Sequence, residues 1–461
     1  MTKKYKSGLF IFRRDLRLED NKALYECVTQ CERVHACFVF TPEQVGAKND
    51  YRSTNAIQFM IESLFDLESR VRSIGGKLVC LKGKNNEVIS SVIAEISPDA
   101  IFFNMDYTPY ARERDATVRK ICERANIPCI ESHDYYLHVP GSVLTGTGSV
   151  YKKYTPFYNA VLHLPVDKPV VKRIKNIHNS LFGGDYIVSL KEMQRTFPQN
   201  PDIMVRAGRD IALSRLEIGK KKQTDYDKKR DFFTYDTTHL SAYIKFGNLS
   251  IREVFHTFAG TYGIEHGVMR ELIWRDFFAH VLFGYPDVLG QAYVPRYRKL
   301  KWRRSQSDFE NWCNGTTGIP IVDAGMRQMN KTGYMHNRAR MMCATFLVKT
   351  LLLDWRLGER YYAQKLTDYD VASNNGNWQA ISGTGVDMKP YYRVMSPWTQ
   401  SRKYDPKCEY IRTWVPELKD VPDRDIHEWD EKWKDHKGVY KKPIADVSAR
   451  TEEMVAMYKA V

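Results

Sequence analysis

The sequence lacks the cysteine patterns that mark disulfide frameworks and metal clusters. Its nine cysteines are scattered along 461 residues without a CxxC pair, a usage typical of a reduced, intracellular protein. Only Cys313, Cys343 and Cys408 lie beyond residue 130, which excludes a four-cysteine iron–sulfur cluster within the second half of the chain. We therefore expect a protein without a metal site.

Long hydrophobic runs and phosphate-binding glycine loops are also missing. The segment GLFIF near the start is too short for the core of a signal peptide. The segment CATFLVKTLLLDW contains Lys349 and Asp354 and is too short to span a bilayer. Neither GxGxxG nor a Walker loop is present, so these two routes to nucleotide binding have no support. We expect a soluble protein of the cytoplasm or nucleus that does not associate with membranes.

Positive charge, by contrast, is in excess. Lysine and arginine number 70 against 55 aspartates and glutamates, which gives a net charge of +15 and a pI of about 9.2. Such a balance favours a polyanionic partner, with nucleic acid ahead of a membrane surface, although good solubility is the plain alternative. Apolar residues form 43% of the chain and charged residues 27%, as in folded proteins, and this length favours two or three domains.

The chain divides into three parts. In residues 1–131 the short β-rich runs GLFIF, RVHACFVF, KLVCLKG, DAIFFNM and IPCIES alternate with helical patterns, which predicts an α/β domain with a doubly wound, Rossmann-like parallel sheet. Residues 132–200 are rich in turns, and we interpret them as an interdomain linker on the surface. Residues 201–461 have helical patterns and predict an all-α domain, in which residues 337–355 form one long helix.

Two polar groups in the helical part are candidates for a binding site. Thr237, Thr238 and Ser241 stand where a helix is predicted to begin, and helix N-termini bind phosphates, although N-capping by Thr238 is the ordinary alternative. Asn337 and Met341 are four residues apart, and an amide with a thioether suits the polar edge and apolar face of a base. Capping by Asn337 and burial of Met341 in the core form the alternative here.

One predicted helix face mixes an acid, an indole and a guanidinium. Glu271, Trp274, Arg275 and Phe278 follow the i, i+3, i+4, i+7 spacing that places them together. This face differs from a core stripe and suits a planar polar ligand, on which the ring stacks while the charged groups form hydrogen bonds. A half-exposed helix with a surface ion pair is the alternative.

The segment DYDVASNNGNWQA, residues 368–380, interrupts the helical pattern. Serine, asparagine and glycine weaken a helical backbone, so we predict that these small residues are kept for close approach to a ligand. Trp378 follows at once. Trp302, Trp355 and Trp378 are core residues when each is considered alone, but indoles can also be oxidised, and a row of them conducts electrons.

Six motifs in the family's order resemble the photolyase/cryptochrome family, and its class I cyclobutane pyrimidine dimer photolyases in particular. They are FRRDLRLEDNKAL from Phe12, YKKYTPFYNA from Tyr151, TTHLSAYIKFG from Thr237, ELIWRDFF from Glu271, GIPIVDAGMRQMNKTGYMHNRARM from Gly318 and LLLDWRLGERYYAQKLTDYDVASNNGNWQ from Leu351. The resemblance runs from residue 8 to beyond residue 420.

This resemblance implies a light-driven DNA repair enzyme, a deoxyribodipyrimidine photo-lyase, with FAD inside the helical domain. In the family, fully reduced FAD excited by blue light gives an electron to a pyrimidine dimer that is flipped out of the DNA. The cyclobutane ring splits and the electron returns. We accordingly expect DNA with pyrimidine dimers as the partner and a monomeric enzyme.

The resemblance also implies roles for individual residues. The flavin would be held by Tyr226, Thr237, Thr238, His239, Leu240, Ser241, Asp368, Tyr369, Asp370 and Asn374. The amide of Asn374 would lie against flavin N5. The lesion and the DNA strand would be contacted by Arg230, Glu271, Trp274, Arg275, Asn337, Arg338, Met341 and Gln400. Glu271 and Asn374 are counted with the catalytic residues, as are Trp302, Trp355 and Trp378, which would pass electrons inward to the flavin.

Two positions depart from the family pattern. Ala380 stands where class I members have a second tryptophan of the lesion pocket, and losing one stacking wall costs about 1–3 kcal/mol. Trp398 is one candidate to replace it. Ala111 stands where folate-binding members tend to carry a carboxylate, so a deazaflavin antenna, or none, is expected ahead of folate.

Two other functions remain open. A (6-4) photolyase would resemble this chain, but that branch carries histidine at the positions of Asn337 and Met341. A cryptochrome-type blue-light sensor often has a long tail, whereas this chain ends soon after WVPEL. Ala380 is the one feature that favours the sensor, so we expect repair of cyclobutane dimers.

Overall fold

A computed structural model describes residues 3–387 and 390–461. Five strands alternate with helices in the first part of the chain, and helices make up most of the rest. The strands are β1 Tyr5–Phe12, β2 Cys31–Phe40, β3 Leu78–Lys82, β4 Ala100–Asn104 and β5 Cys129–Ser132. The helices of this part are α1 Lys22–Gln30, α2 Pro42–Val45, α3 Thr54–Ser73, α4 Asn85–Ile96 and α5 Pro109–Arg124.

The later helices begin with α6 Tyr154–Val161, α7 Leu190–Thr196, α8 Arg209–Lys222, α9 Tyr226–Lys229, α10 Ser241–Phe246, α11 Ile251–Tyr262 and α12 Gly267–Gly284. They continue with α13 Gln306–Asn314, α14 Pro320–Thr332, α15 Asn337–Thr345, α16 Trp355–Lys365, α17 Val371–Ser382 and α18 Pro397–Tyr404. The last are α19 Glu409–Trp414, α20 Asp423–His427, α21 Trp429–Lys432 and α22 Val447–Lys459. In the described part of the chain, no helix is long and apolar enough to cross a membrane.

The strands form one parallel sheet in the order β3-β2-β1-β4-β5. Side chains of β1 alternate between two cores: Phe10 and Phe12 belong to one hydrophobic cluster, while Leu9 and Ile11 belong to another. Burial of both faces is typical of parallel sheets covered by helices on either side. The predicted doubly wound sheet followed by a helical region is confirmed.

The segment predicted as a surface linker is better packed than expected. Helix α6 places Phe157 fully inside a hydrophobic cluster, where its ring lies 5.6 Å from that of Phe277 on α12. Farther along, Ile177 is buried and forms a parallel bridge with Val34 of β2. The hydrophobic periodicity of this segment is weak because it is held by isolated buried side chains and not by a continuous apolar face.

Residues 337–355 do not form the single helix that was predicted. Helix α15 ends at Thr345, a π-helical turn follows over Phe346–Thr350, and Leu352 has a left-handed backbone with a φ of 57°. The Asp354 side chain then accepts from the Arg356 amide and caps a new helix at Trp355. Because a cap of this kind fixes a helix start, the apolar pattern alone could not reveal the break.

Candidate functional site

Asp368 joins three parts of the helical region at the centre of the site. Its Oδ2 accepts hydrogen bonds from Ser241 of α10 at 2.7 Å and from Arg340 of α15 at 3.0 Å. Burial alone would raise the pKa of Asp368, but the adjacent Arg340 lowers it below the ordinary value. The carboxylate is therefore an anion whose second oxygen, Oδ1, is buried without a partner among the described residues, leaving one strong acceptor for a ligand.

The hydroxyl-rich segment before α10 is a loop whose backbone carbonyl oxygens accept hydrogen bonds from an arginine. Arg215 donates to the carbonyl oxygens of Thr237 and Thr238, at 2.9 Å each. The helix begins at Ser241, and Leu240 stands at its N-cap without a side-chain hydrogen bond. Capping by Thr238 is therefore wrong: its carbonyl is held by Arg215, and the chain turns at His239, whose φ is 50°.

His239 extends this loop toward the site. Its Nε2 lies 2.9 Å from Asp236 Oδ1, and its ring centroid lies 4.7 Å from that of Tyr334. The other ring nitrogen, Nδ1, is buried and has no partner within the described residues. Burial lowers the pKa of His239, so the neutral imidazole can offer this nitrogen to a ligand.

The segment around Asn374 is a regular helix, contrary to the prediction that its residues would interrupt one. Asp370 caps α17 by accepting from the Ser373 amide at 3.0 Å. Gly376 has no room for a side chain, because an added Cβ would lie 2.1 Å from a ring carbon of Phe278 on α12. Asn375 donates to the Val288 carbonyl at 3.1 Å. Two of the small residues thus serve helix packing.

Asn374 has one side-chain polar atom engaged and one available to a ligand. Its Nδ2 donates to the Glu359 carbonyl at 3.0 Å, which fixes the orientation of the amide and leaves Oδ1 as an acceptor. One turn earlier, Tyr369 and Asp370 are half-buried beside the same site. Asp370 pairs with Arg14 at 3.3 Å, and Arg14 also bonds Asp106 at 2.8 Å.

A second group of predicted residues meets around Glu271. Arg230 forms an ion pair with Glu271 and places its guanidinium 5.6 Å from the ring centre of Tyr226. The Glu271 side chain is 42% exposed, so it faces an opening in the protein surface. Partial desolvation of the carboxyl raises the pKa of Glu271, against the opposing effect of Arg230. Arg230, which was predicted to contact DNA, is thus engaged by Glu271, which was predicted to contact the lesion.

Two aromatic rings pack against the Trp274 indole. Tyr154 of α6 stacks on it with a centroid distance of 3.6 Å and an interplanar angle of 4°. Phe278 lies 5.5 Å away at 29°. Arg275 donates to the Tyr135 carbonyl at 2.6 Å and lies over the Tyr136 ring at 4.4 Å. One face of the Trp274 indole is therefore covered by Tyr154.

The remaining lesion-pocket candidates lie on α15 and α18. Asn337 Nδ2 lies 4.0 Å from Met341 Sδ, as the spacing predicts. His336, and not Asn337, caps α15 by accepting from the Arg338 amide at 3.2 Å. Arg338 pairs with Asp231 and lies over the ring of Tyr404 on α18. The same helix carries Gln400, whose Oε1 is buried without a partner in the described residues.

Of the three predicted relay tryptophans, two are buried and one is partly exposed. Trp378 and Trp355 are 2% and 0% exposed and belong to one hydrophobic cluster, against which the partly buried Trp302 packs. Gly358, one turn after Trp355 on α16, would place a Cβ 2.1 Å from the Trp378 ring. The indoles thus lie in one continuous cluster that extends from the site toward the surface.

Several residues that contact the site were missed from the sequence. Arg340 bonds Asp368, Arg14 reaches Asp370 from the sheet region, and Tyr154 supports Trp274. Lys245 lies near Asp368 and Asp370, and burial lowers its pKa to about 8. All four of these residues stand inside the quoted motifs: Arg14, Tyr154, Lys245 and Arg340. Residue spacing does not reveal their partners, because Arg340 and Asp368 are 28 residues apart and Arg14 and Asp370 are 356 apart.

Comparisons with family models and with known proteins agree on one family. The family model for the FAD binding domain of DNA photolyase matches residues 268–460, and the DNA photolyase model matches residues 9–172. A deoxyribodipyrimidine photo-lyase of Halobacterium salinarum is 34% identical, with 98% of each chain covered.

Solved structures extend this likeness to the whole fold. A photolyase from Sulfolobus tokodaii, described with two FAD molecules, has a TM-score of 0.88 and 38% identity, and the match covers 99% of this chain and 100% of that one. A cryptochrome from Synechocystis has a TM-score of 0.89 and 25% identity, with 99% and 100% covered.

Proposed function

Because the chain belongs to the DNA photolyase family and its enzyme class is deoxyribodipyrimidine photo-lyase, we propose that it repairs cyclobutane pyrimidine dimers in DNA by light-driven electron transfer. The observation that supports this most is the direct contact between α17 and α12 at Gly376 and Phe278. Asn374 lies on one of these helices and Trp274 on the other, and their close packing supports a single site that uses both residues.

FAD fits the acceptor-rich part of the site. Two buried polar atoms, Asp368 Oδ1 and His239 Nδ1, need partners there, and a buried polar atom left unpaired costs about 1–3 kcal/mol. The ribityl and ribose hydroxyls of FAD are suitable partners. The full proposed set is Tyr226, Thr237, Thr238, His239, Leu240, Ser241, Asp368, Tyr369, Asp370 and Asn374. When bound, fully reduced FAD absorbs blue light and supplies one electron to the dimer.

Asn374 selects the state of the cofactor through its orientation. Because Nδ2 is engaged by the Glu359 carbonyl, the atom left for flavin N5 is Oδ1, which only accepts hydrogen bonds. An acceptor favours an N–H group over a lone pair at that position. This orientation is consistent with an enzyme that is active with reduced flavin, and a neutral amide does not repel an anionic ring.

The lesion is proposed to enter beside Trp274. The free face of the indole stacks on the flipped dimer, while Glu271, Arg275, Asn337, Arg338 and Met341 border it. Arg230 orients Glu271 through their ion pair, and Gln400 is left for the DNA strand. A flipped dimer costs less to extract than an intact pair because it stacks poorly, and lysines and arginines bind the phosphates in a salt-dependent way.

Electrons that reduce the cofactor are proposed to enter through Trp302, Trp355 and Trp378 in that order. The partial exposure of Trp302 supports its place at the outer end, because the other two indoles are buried. Their shared hydrophobic cluster keeps water away from the two inner indoles. Replacement of any one by phenylalanine is expected to slow photoreduction without removing the flavin, as absorption spectroscopy would show.

An antenna chromophore is proposed to use the carboxyl edge of the sheet. There Arg13 pairs with Asp115 at 2.5 Å and lies 3.8 Å over the Phe103 ring, while Ala111 is 1% exposed. A flavin-type chromophore is favoured over folate, since the Sulfolobus relative is described with two FAD molecules. The ratio of flavin to purified protein distinguishes one bound flavin from two, and the absorption spectrum reveals a chromophore of another kind. We also propose the domain division 1–131, 132–200 and 201–461.

Binding in the dark tests the proposed substrate. We expect the protein to bind a duplex with one cyclobutane thymine dimer far more tightly than the undamaged duplex, and a duplex with a (6-4) lesion no better than undamaged DNA. Preference for the (6-4) duplex would instead support that activity, and equal binding of all three would support a sensor. Measurements at several salt concentrations separate the phosphate contribution from lesion recognition.

A further inference from the structure

Aromatic contacts continue beyond Trp302, where the proposed relay ends. The ring of Tyr458 lies edge-on to the Trp302 indole, with a centroid distance of 6.2 Å and an angle of 83°. Tyr458 belongs to α22, the last helix of the chain, and is only 2% exposed. The contact therefore connects the relay with a different hydrophobic cluster, which contains Tyr458 and against which Trp302 also packs.

Two further tyrosines connect Tyr458 with the surface. Tyr391 stacks on Tyr458 at 5.0 Å with an interplanar angle of 4°, and Tyr392 follows at 5.7 Å from Tyr391. Tyr392 is 63% exposed. Consecutive rings in contact thus lead from Trp302 to a phenol in water.

We propose that Tyr458, Tyr391 and Tyr392 extend the electron path beyond Trp302, with Tyr392 as the terminal electron donor of the protein. The inference rests on the proposed function, because it starts from an oxidised Trp302. It goes beyond that function in assigning the site at which external electrons enter.

The positions of the hydroxyl groups decide which tyrosine is oxidised. A phenol gives up its proton when it loses an electron, so the donor needs a proton acceptor. The Tyr458 hydroxyl donates to the Ser382 carbonyl, and a backbone carbonyl cannot take a proton. Burial also raises the pKa of Tyr458. Tyr458 is therefore a bridge between rings, whereas exposed Tyr392 can release its proton to water.

The proposed step balances in electrons and protons. One electron passes from Tyr392 across the rings of Tyr391 and Tyr458 to the oxidised indole of Trp302, which becomes neutral. The hydroxyl proton of Tyr392 goes to water and leaves a neutral tyrosyl radical. A small thiol in solution then donates a hydrogen atom to this radical and restores the phenol.

Tyr297 provides a matched control inside the same cluster. Its ring lies 5.4 Å from that of Tyr458, but it is 4% exposed, and its hydroxyl accepts from Arg296 at 2.8 Å. A cation beside a buried phenol opposes its oxidation. Tyr297→Phe is therefore expected to leave the electron path unchanged.

Electron paramagnetic resonance after illumination tests the assignment, with ring-deuterated tyrosine to identify a tyrosyl radical. We expect the flavin-loaded protein and the Tyr297→Phe variant to give this radical. Tyr392→Phe should reduce its yield severalfold and slow photoreduction by thiol. Tyr458→Phe should retain the radical because the bridging ring remains, whereas Tyr458→Leu should lose it. Flavin content confirms that each variant is folded.

The remaining outcomes either overturn or confirm the proposal in distinguishable ways. A radical that persists in Tyr392→Phe and disappears in Tyr458→Phe would make Tyr458 the donor and contradict the assignment to Tyr392. An unchanged radical yield in Trp302→Phe would show that the tryptophan relay itself is wrong, and with it the proposed route of photoreduction. Loss of the radical in Tyr392→Phe together with a normal tryptophan radical would confirm the extension.

Discussion

At the residue scale, Asn374 shows how one hydrogen bond decides what a side chain offers to a ligand. Asn374→Asp replaces the Nδ2 donor by an oxygen that faces the Glu359 carbonyl, 3.0 Å away in the present structure. We expect this substitution to lower the free energy of unfolding by about 1–3 kcal/mol, because two acceptors then face each other in a half-buried position. Urea denaturation in the dark measures the loss.

Asn377 is the matched control for this substitution. It lies on the same helix and also donates to a backbone carbonyl, that of Ser373 at 2.8 Å, but it is exposed. Water can solvate the new carboxylate there, so Asn377→Asp should change the stability by less than about 0.5 kcal/mol. Equal losses in the two variants would contradict the role given to the Asn374 amide.

Tyr154 is predicted to support lesion binding without touching DNA. Its ring stacks on Trp274 at 3.6 Å, and an aromatic pair contributes about 0.5–1.5 kcal/mol beyond its burial. Tyr154→Ala should weaken binding of dimer-containing DNA by up to about tenfold, as fluorescence anisotropy can measure. Tyr154→Phe, which keeps the ring and loses only the bond to the Arg270 carbonyl, should bind normally. Identical affinities in both variants would show that Trp274 needs no support.

The motifs predicted which residues belong to the candidate site more readily than they predicted the contacts that those residues make. Asn337 and Met341 meet as their spacing indicated, since helix geometry alone places residues four apart together. The pairing of Asp368 with Arg340 depends on how α10, α15 and the start of α17 are arranged, which no local pattern contains. The same holds for Arg230, whose ion pair with Glu271 spans 41 positions.

At the element scale, α17 is the clearest difference between sequence and structure. Its serine, asparagine and glycine predicted an interruption, yet the residues form a regular helix from Val371 to Ser382. Tertiary contacts outweigh the weak propensity: Asp370 caps the helix, and Asn375 bonds the Val288 carbonyl. Propensities below about 1 kcal/mol per residue are routinely overcome in this way.

Gly376 is predicted to be indispensable for the contact between α17 and α12. An added Cβ would lie 2.1 Å from a ring carbon of Phe278, and forcing extra atoms into a packed contact costs about 1–3 kcal/mol. Gly376→Ala should therefore lower the thermal midpoint and the affinity for FAD together, as thermal denaturation and flavin titration can show.

Gly260 on α11 is the control for this change. Nothing lies within 4 Å of a Cβ added there, so Gly260→Ala should stabilise the protein by about 0.5–1 kcal/mol through helix propensity. A stabilising Gly376→Ala would show that α12 and α17 separate easily, and would contradict the packing described here.

The sheet was the most predictable element. Its strands are short runs of valine, isoleucine, leucine and phenylalanine between helical patterns, and connections of this kind force parallel order. Helix ends were less predictable. The break between α15 and α16 depends on the Asp354 cap and the left-handed Leu352, neither of which alters the apolar pattern.

At the scale of the whole molecule, a buried charge cluster ties the sheet to the helical region. Asp134, just after β5, pairs with Arg17 at 2.6 Å and with Arg252 of α11 at 2.6 Å. Burial alone would raise the pKa of Asp134, but the two guanidinium groups lower it to about 2. Removing one member of such a cluster leaves an uncompensated buried charge, which costs about 3–5 kcal/mol.

The stability contributed by Asp134 should depend on pH in a defined direction. Its pKa in the folded state is below its ordinary value of 3.8, so the contribution is fully present above about pH 4 and is lost as the pH falls toward about 2. The difference in unfolding free energy between wild type and Asp134→Asn should shrink by roughly 2 kcal/mol over this window.

Asp167 serves as the control for that comparison. It pairs with Lys22 at 2.7 Å, but its side chain is 73% exposed, so Asp167→Asn should change little at any pH because exposed pairs contribute little. Denaturation curves at several pH values measure both variants. A pH-independent difference for Asp134→Asn would contradict its ionised, paired state.

The central claim concerns light-driven repair, and one measurement tests it most directly. The purified protein is reduced, mixed with DNA that carries defined cyclobutane thymine dimers, and illuminated with blue light while an identical sample stays dark. We predict loss of dimers in the light only, with Ala380 in place. Normal flavin binding and photoreduction without any loss of dimers would contradict the claim.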